Sequence, residues 1–100
     1  MITKAEIEER SQAKTVVVRI DALDDDVTIK KLTFREVMEG QKKSETDAWL
    51  TAFGVLDDKG EPMFTVKEVK DLPGDIFIPL RDAVLQASGL GESTGKTEKN

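Results

Sequence analysis

One hundred residues with 38% apolar content are enough for a single domain with one modest core. The chain carries 15 basic and 20 acidic residues, a net charge of −5, and has neither cysteine nor histidine. This composition argues against a basic nucleic-acid-binding surface, against a disulfide-stapled secreted domain, and against the commonest catalytic bases and nucleophiles.

The first predicted element is a short acidic helix that begins with ITKAEI. Thr3 can accept a hydrogen bond from the first free backbone N–H groups, and Glu6 can reach back to the backbone N–H of Thr3. The same pattern recurs as LTFREV at residues 32–37 and FTVKEV at residues 64–69. The segments between these starts differ in type, so shared capping chemistry explains the likeness better than an internal repeat.

A β-hairpin follows the first helix. The β-branched run TVVVRI at residues 15–20 predicts a strand, residues 21–26 (DALDDD) form an acidic turn, and residues 27–32 (VTIKKL) alternate as a returning strand. The helix that starts after Leu32 presents Phe34, Val37 and Met38 on one side and then meets Gly40.

Residues 47–56 (DAWLTAFGVL) fit two patterns. Their alternation predicts a strand buried on both faces, and a helix over residues 44–53 is the competing interpretation. We expect the strand, which includes Trp49 and joins the hairpin. A polar turn at residues 57–60 follows it.

Two helices close the predicted domain. The first begins at Thr65 and is stopped by Leu72-Pro73-Gly74. Asp75 can cap the second, in which Pro79 lies near the start and Gly89 is a left-handed terminator. One face of this second helix is apolar and comprises Ile76, Phe77, Leu80, Ala83, Val84 and Ala87.

No motif predicts a catalytic, metal or cofactor site. GLGESTGKT at residues 89–97 resembles a phosphate-binding loop, but Leu90 occupies the position of its first glycine and a helix precedes it instead of following it. The acidic groups at residues 24–26 and 57–61 lack the frame of a calcium loop and are expected to be solvated turns.

Trp49, Phe77 and Leu90 are the candidate partner-binding residues. Trp49 and Phe77 are large apolar side chains that a small domain also needs for its core, so packing in the core is the competing role for both. Leu90 marks the expected end of the folded domain.

Sequence analysis thus predicts an α+β domain over residues 1–90, with a small antiparallel sheet (the hairpin plus one strand) packed against two to three short helices. Residues 91–100 are expected to be a flexible, disordered tail.

The order of these elements resembles that of the tail assembly chaperones of long-tailed bacteriophages. The resemblance rests on the block DDKGEPMFTVKEVKDLP and the amphipathic helix ending in ASGL. Upstream it includes the acidic helix, the hairpin strands VVVRI and VTIKKL, and the second Thr-x-x-Glu helix start. It covers residues 2–90.

The resemblance implies a non-enzymatic protein that binds the tape-measure protein and helps recruit the major tail-tube protein. It implies residence in the host bacterial cytoplasm and absence from the mature virion. We expect no cofactor, and the lack of a basic stripe and of a long apolar run argues against a nucleic-acid or membrane partner. It also implies a longer form made by a −1 ribosomal slip, for which the Gly95-Lys96 and Lys99-Asn100 codons are candidates. A structural tail or head-completion protein retained in the virion and a small cytoplasmic adaptor are the alternatives. The sequence leaves the oligomeric state open.

Overall fold

A computed structural model describes residues 1–90, which form five α-helices and a three-stranded antiparallel sheet. The helices are α1 (Lys4–Arg10), α2 (Phe34–Gln41), α3 (Thr46–Gly54), α4 (Val66–Lys70) and α5 (Gly74–Ala87), and the strands are β1 (Thr15–Ile20), β2 (Asp25–Lys30) and β3 (Val55–Leu56). The predicted α+β class, with a hairpin plus one strand, is confirmed. The predicted tail, most of the near-miss phosphate loop and the candidate slip sites lie outside the described residues.

The hairpin forms the larger part of the sheet. β1 and β2 pair in antiparallel register from Thr15 opposite Lys30 to Ile20 opposite Asp25. A 3-10 turn at Asp21–Leu23 and a left-handed Asp24 (φ 54°) reverse the chain between them. Aspartate tolerates this conformation better than most residues, which suits the acidic loop to the turn. β2 is the central strand because its other side pairs with β3.

All three predicted capping boxes are present. The backbone N–H groups of Glu6, Glu36 and Glu68 each donate to the threonine hydroxyl three residues earlier, at 3.2 Å. Each glutamate carboxylate in turn accepts from the N–H of its threonine at 2.8–2.9 Å. The caps therefore fix where α1, α2 and α4 begin, as the sequence pattern indicated.

The strand predicted at residues 47–56 is wrong, and the competing helix is correct over most of this segment. α3 runs to Gly54, and only Val55–Leu56 are extended as β3. The segment is apolar at nearly every position, so both a twofold and a 3.6-residue period fit it. The helix is favoured because packing on several sides buries it: α3 contacts α2, α4, α5 and the sheet. Its buried residues are Ala48, Leu50, Thr51, Ala52 and Gly54.

The last helix has the predicted face but a different start. Leu80, Ala83 and Val84 are buried and Ile76, Phe77 and Ala87 are half-buried. The predicted Asp75 cap is wrong: α5 begins at Gly74 after Pro73 and has no side-chain cap, which places Pro79 in its second turn. Gly89 does terminate the helix at φ +82°, where the N–H of Leu90 donates to the carbonyl of Leu85 at 2.6 Å.

The core lies between the sheet and α3 and α5. Its least exposed side chains are Ile29, Val55, Leu80 and Val84, each at most 2% exposed. A smaller cluster of Ala48, Ala52 and Val69 seats α4 on the other side of α3. The end of the hairpin is fastened to the end of α5, since the N–H of Leu32 donates to the Ser88 hydroxyl at 3.0 Å.

Thr51 in α3 is completely buried, and its hydroxyl has no hydrogen-bond partner among residues 1–90. An unsatisfied buried hydroxyl loses its hydration without compensation. We expect Thr51→Val, which keeps the shape and removes the hydroxyl, to raise the free energy of unfolding by about 1 kcal/mol. Urea denaturation measures this. Thr46→Val, at the half-buried start of the same helix, is the control and is expected to give no gain, because the Thr46 hydroxyl donates to the Lys43 carbonyl at 3.1 Å. A loss of stability in Thr51→Val would contradict the prediction.

Candidate interaction surfaces

The most exposed aromatic side chain is Phe34, at the first position of α2, which is 79% exposed. Met38 follows one turn later on the same side of the helix and is 42% exposed. We call this pair the Phe34 face. Aromatic and methionine side chains are enriched where proteins bind partners, because they offer large apolar contact area and, for methionine, an adaptable shape.

The Phe34 face is presented outward because the opposite side of α2 is anchored. Val37 is buried, and Gly40 lies so close to α3 that an added Cβ would stand 2.6 Å from Leu50 Cδ2 and 2.8 Å from Trp49 Cε3. The helix does not stop at Gly40, as the sequence suggested, but passes it and ends at Gln41. The expectation that Phe34, Val37 and Met38 share one side is met only in part, since Val37 points to the core and the other two side chains are exposed.

Trp49 is half-buried and packs against the main core. Its ring stacks on that of Phe53, one turn later, with 5.0 Å between centroids and 15° between planes. The Lys43 ammonium lies 5.9 Å from the centroid of the indole. These contacts show that Trp49 packs within the domain. Its role in binding a partner stays a prediction.

Phe77 lies at a groove of about 600 Å³ between the start of α3, the end of α4 and the start of α5. Its apolar lining is Ala48, Val69, Leu72 and Phe77, and its polar lining is Ser44, Glu45, Thr46, Asp47 and Lys70. An ion pair joins Lys70 to Glu45 at this groove. We call it the α3–α5 groove; it is wide enough for a partner's side chain. Leu90, 42% exposed, follows the end of α5. The three predicted residues thus lie in different environments, Trp49 on the main core and Phe77 beside the smaller cluster.

Lys30 connects the sheet to both neighbouring helices. Its ammonium donates to Glu36 of α2 at 2.7 Å and lies 4.4 Å from the centroid of the Phe53 ring of α3. Partial burial raises the pKa of the Glu36 carboxyl, but the Lys30 hydrogen bond, the Thr33 N–H and hydroxyl and the Lys30 charge together lower it below its ordinary value. The ionised form of Glu36 is therefore the one that fits the fold.

A lowered pKa makes the stability depend on pH in a defined direction. The stabilisation from Glu36 is complete above its unfolded-state pKa of about 4.3 and is lost as pH falls through the lower folded-state pKa. We expect Glu36→Gln to lower the free energy of unfolding at pH 7 and to bring it closer to wild type at pH 3. Denaturation at both pH values measures this, with Glu39→Gln in the same helix as the control. An equal deficit at the two pH values would contradict it.

The described residues contain no group of three or more His, Cys, Asp or Glu side chains arranged to hold a metal ion. The acidic turn at Asp57 is stabilised internally, since the Asp57 carboxylate accepts from the N–H groups of Lys59 and Glu61 at 2.8 and 3.0 Å. Between residues 1 and 90 every helix is too short or too polar to cross a bilayer.

Comparison with protein-family models, with curated proteins and with solved structures finds no match for this chain. The interaction surfaces must therefore be interpreted from their own chemistry. Among them the Phe34 face was not among the predicted partner-binding residues, and it exposes the largest single apolar side chain.

Proposed function

We propose that this protein is a tail assembly chaperone of a long-tailed bacteriophage, which binds the tape-measure protein without catalysing a reaction. The order of its sequence elements resembles that family over residues 2–90. On this proposal the protein acts in the host bacterial cytoplasm, helps bring the major tail-tube protein to the assembling tail, and does not remain in the virion.

The observation that carries the proposal is the exposure of Phe34 beside Met38 on a helix whose other side is firmly packed. A tape-measure chain is long, helical and apolar, so it needs a partner that covers apolar side chains during assembly. A phenylalanine and a methionine one turn apart on a rigid helix can pack against the apolar face of a second helix.

The net charge of −5 supports the same role. A carrier that covers an aggregation-prone chain must itself remain dispersed, and a net charge well away from zero opposes association between like complexes. In this mechanism the Phe34 face contacts the apolar chain, and the acidic surface keeps the complex in solution.

Co-expression with the tape-measure protein of the same phage tests the proposal. We expect the tape-measure protein to be recovered in the soluble fraction, and to be co-purified, only when this chain is present. A tape-measure protein that stays insoluble in both cases would overturn the proposal.

Mass spectrometry of purified virions distinguishes the chaperone from a structural tail or head-completion protein. The chaperone is expected to be absent from particles that contain the tail-tube protein. Its presence in stoichiometric amounts would favour the structural alternative, and a gene neighbourhood without tail genes would favour a cytoplasmic adaptor.

A further inference from the structure

The N-terminal segment has almost no packing of its own. Every residue from 1 to 17 is exposed, including the whole of α1, which buries no residue. Ile2, Ile7 and Val17 are 47%, 52% and 64% exposed. A helix as short as α1 is marginal in water unless something packs against it. The segment therefore presents apolar surface and a capped helix that the rest of residues 1–90 does not cover.

β1 is also the free edge of the sheet. The other edge is closed, because β3 is only two residues long and Leu56 and Val55 are bridged to Pro62 and Met63. β1, in contrast, is a six-residue strand that, within residues 1–90, is bordered only by β2. A long β-branched edge strand of this kind is a template for pairing with another chain.

The hairpin register identifies which backbone groups of β1 face outward. The N–H of Lys31 donates to the carbonyl of Lys14 at 2.9 Å, so these two residues form a hydrogen-bonded antiparallel pair. By alternation, residues 16, 18 and 20 also direct their N–H and C=O groups to β2. Thr15, Val17 and Arg19 direct theirs away from β2, at the free edge.

We propose that the occupant of this edge is a second copy of the chain, paired antiparallel through β1 with Val17 opposite Val17 of the partner subunit. In this register Thr15 lies opposite Arg19 of the partner subunit, so every outward N–H and C=O of the three residues gains a partner. The arrangement is two-fold symmetric, as in most homodimers, and joins two three-stranded sheets into one continuous sheet.

The charges at the two ends of β1 favour this antiparallel arrangement of two copies. Arg10 and Lys14 precede the strand, whereas Asp21 and Asp24 follow it. Arg19 pairs with both of these carboxylates, and the neighbouring Asp25 and Asp26 keep this end of the strand acidic. Antiparallel pairing places the basic end of each strand beside the acidic end of the other, whereas a parallel arrangement would place like charges together. Within the strand, valine faces valine at the centre and threonine faces arginine beside it, so no like charges are opposed.

The same geometry gives α1 something to pack against. Because Thr15 lies beside Arg19 of the partner subunit, the helix that precedes it is carried toward the partner's hairpin turn. The contact would add apolar area from Ile2 and Ile7 to an interface that edge pairing alone would leave small. This dimer does not depend on the proposed role in tail assembly.

A charge-pairing experiment at Val17 tests both the occupant and the register. Sedimentation of the wild-type chain over a range of concentrations is expected to show a reversible dimer. Val17→Lys and Val17→Glu each place like charges opposite each other at the two-fold axis, and each is expected to raise the dimer dissociation constant about tenfold or more. Mixing the two variants places opposite charges together and is expected to restore a one-to-one dimer.

Met63→Lys is the matched control, since it adds the same charge at an exposed apolar residue on the opposite edge of the sheet. It is expected to dimerise like the wild type. Circular dichroism checks that all variants keep the fold, and Val17→Thr, which keeps the β-branched shape without charge, is expected to dimerise. A wild-type chain that is monomeric at every concentration, or Lys and Glu variants that dimerise alone as well as together, would overturn the proposal.

Discussion

Gly54→Ala is expected to lower the free energy of unfolding by about 2–3 kcal/mol, although alanine is normally the better helix former. A Cβ at this position would stand 2.6 Å from Val84 Cγ1 and 2.8 Å from Val84 Cγ2. Val84 is fully buried in α5, and a β-branched side chain in a helix has one strongly preferred rotamer. The clash therefore forces α3 and α5 apart, at the place where both pack on the sheet.

A second substitution tests whether that close approach is the cause. Val84→Ala alone is expected to destabilise by creating a cavity, whereas in combination with Gly54→Ala it removes the methyl groups that clash. The double variant should therefore be less destabilised than the sum of the two single effects, by about 1 kcal/mol or more.

Gly74→Ala is the matched control, because Gly74 is also helical but an added Cβ there meets nothing within 4 Å. It should leave stability unchanged or raise it slightly. Urea denaturation of the wild type and the four variants measures all of these values. Strict additivity of the Gly54 and Val84 effects would show that the glycine is not needed for the approach of the two helices.

The sequence predicts the boundaries of an element correctly where the interactions that set them lie within a few consecutive residues. Thr3, Thr33 and Thr65 each form the expected capping box, because both hydrogen bonds lie within four consecutive residues. The hairpin forms where it was predicted, but its turn is shorter than expected: Asp25 and Asp26 belong to β2, which ends at Lys30 and not at Leu32. Gly89 ends α5 because glycine adopts the left-handed conformation easily (φ +82°). This preference is local, so it is visible in the sequence.

Long-range packing decides what these signals leave open. The apolar run at residues 47–56 fits a strand and a helix equally well, and only the surrounding elements select the helix. α5 begins at Gly74 and its cap position is Pro73, so the acidic side chain of Asp75 lies two residues too late to cap it. No local pattern distinguishes these outcomes.

The Phe34 face was missed for a related reason. Phe34, Val37 and Met38 lie within about a third of a helical turn of one another, which indicates a single buried stripe. Gly40, taken as the end of the helix, is instead its closest contact with α3, and it shifts the buried stripe of α2 toward Val37 and Gly40. A glycine one turn after a buried valine is the signal that could have placed Phe34 and Met38 outside.

The exposure of this face leads to the second large expected effect. Replacing both Phe34 and Met38 by serine should abolish most binding of the tape-measure protein with only a small loss of stability. Truncating an aromatic anchor at an interface typically costs 2 kcal/mol or more, which corresponds to a roughly thirtyfold weaker complex. Phe34 is 79% exposed in the free chain, so its removal leaves no cavity in the core.

Co-purification with the tape-measure protein and urea denaturation of the free variant measure the two halves of this prediction separately. Met63→Ser is the matched control, since Met63 is 44% exposed and Met38 is 42% exposed. If the double serine variant still holds the tape-measure protein as well as the wild type does, the contact lies elsewhere. The α3–α5 groove, where Phe77 lies, is then the next surface to change. If the wild-type chain itself does not bind the tape-measure protein, the proposed function is wrong, and not merely the proposed surface.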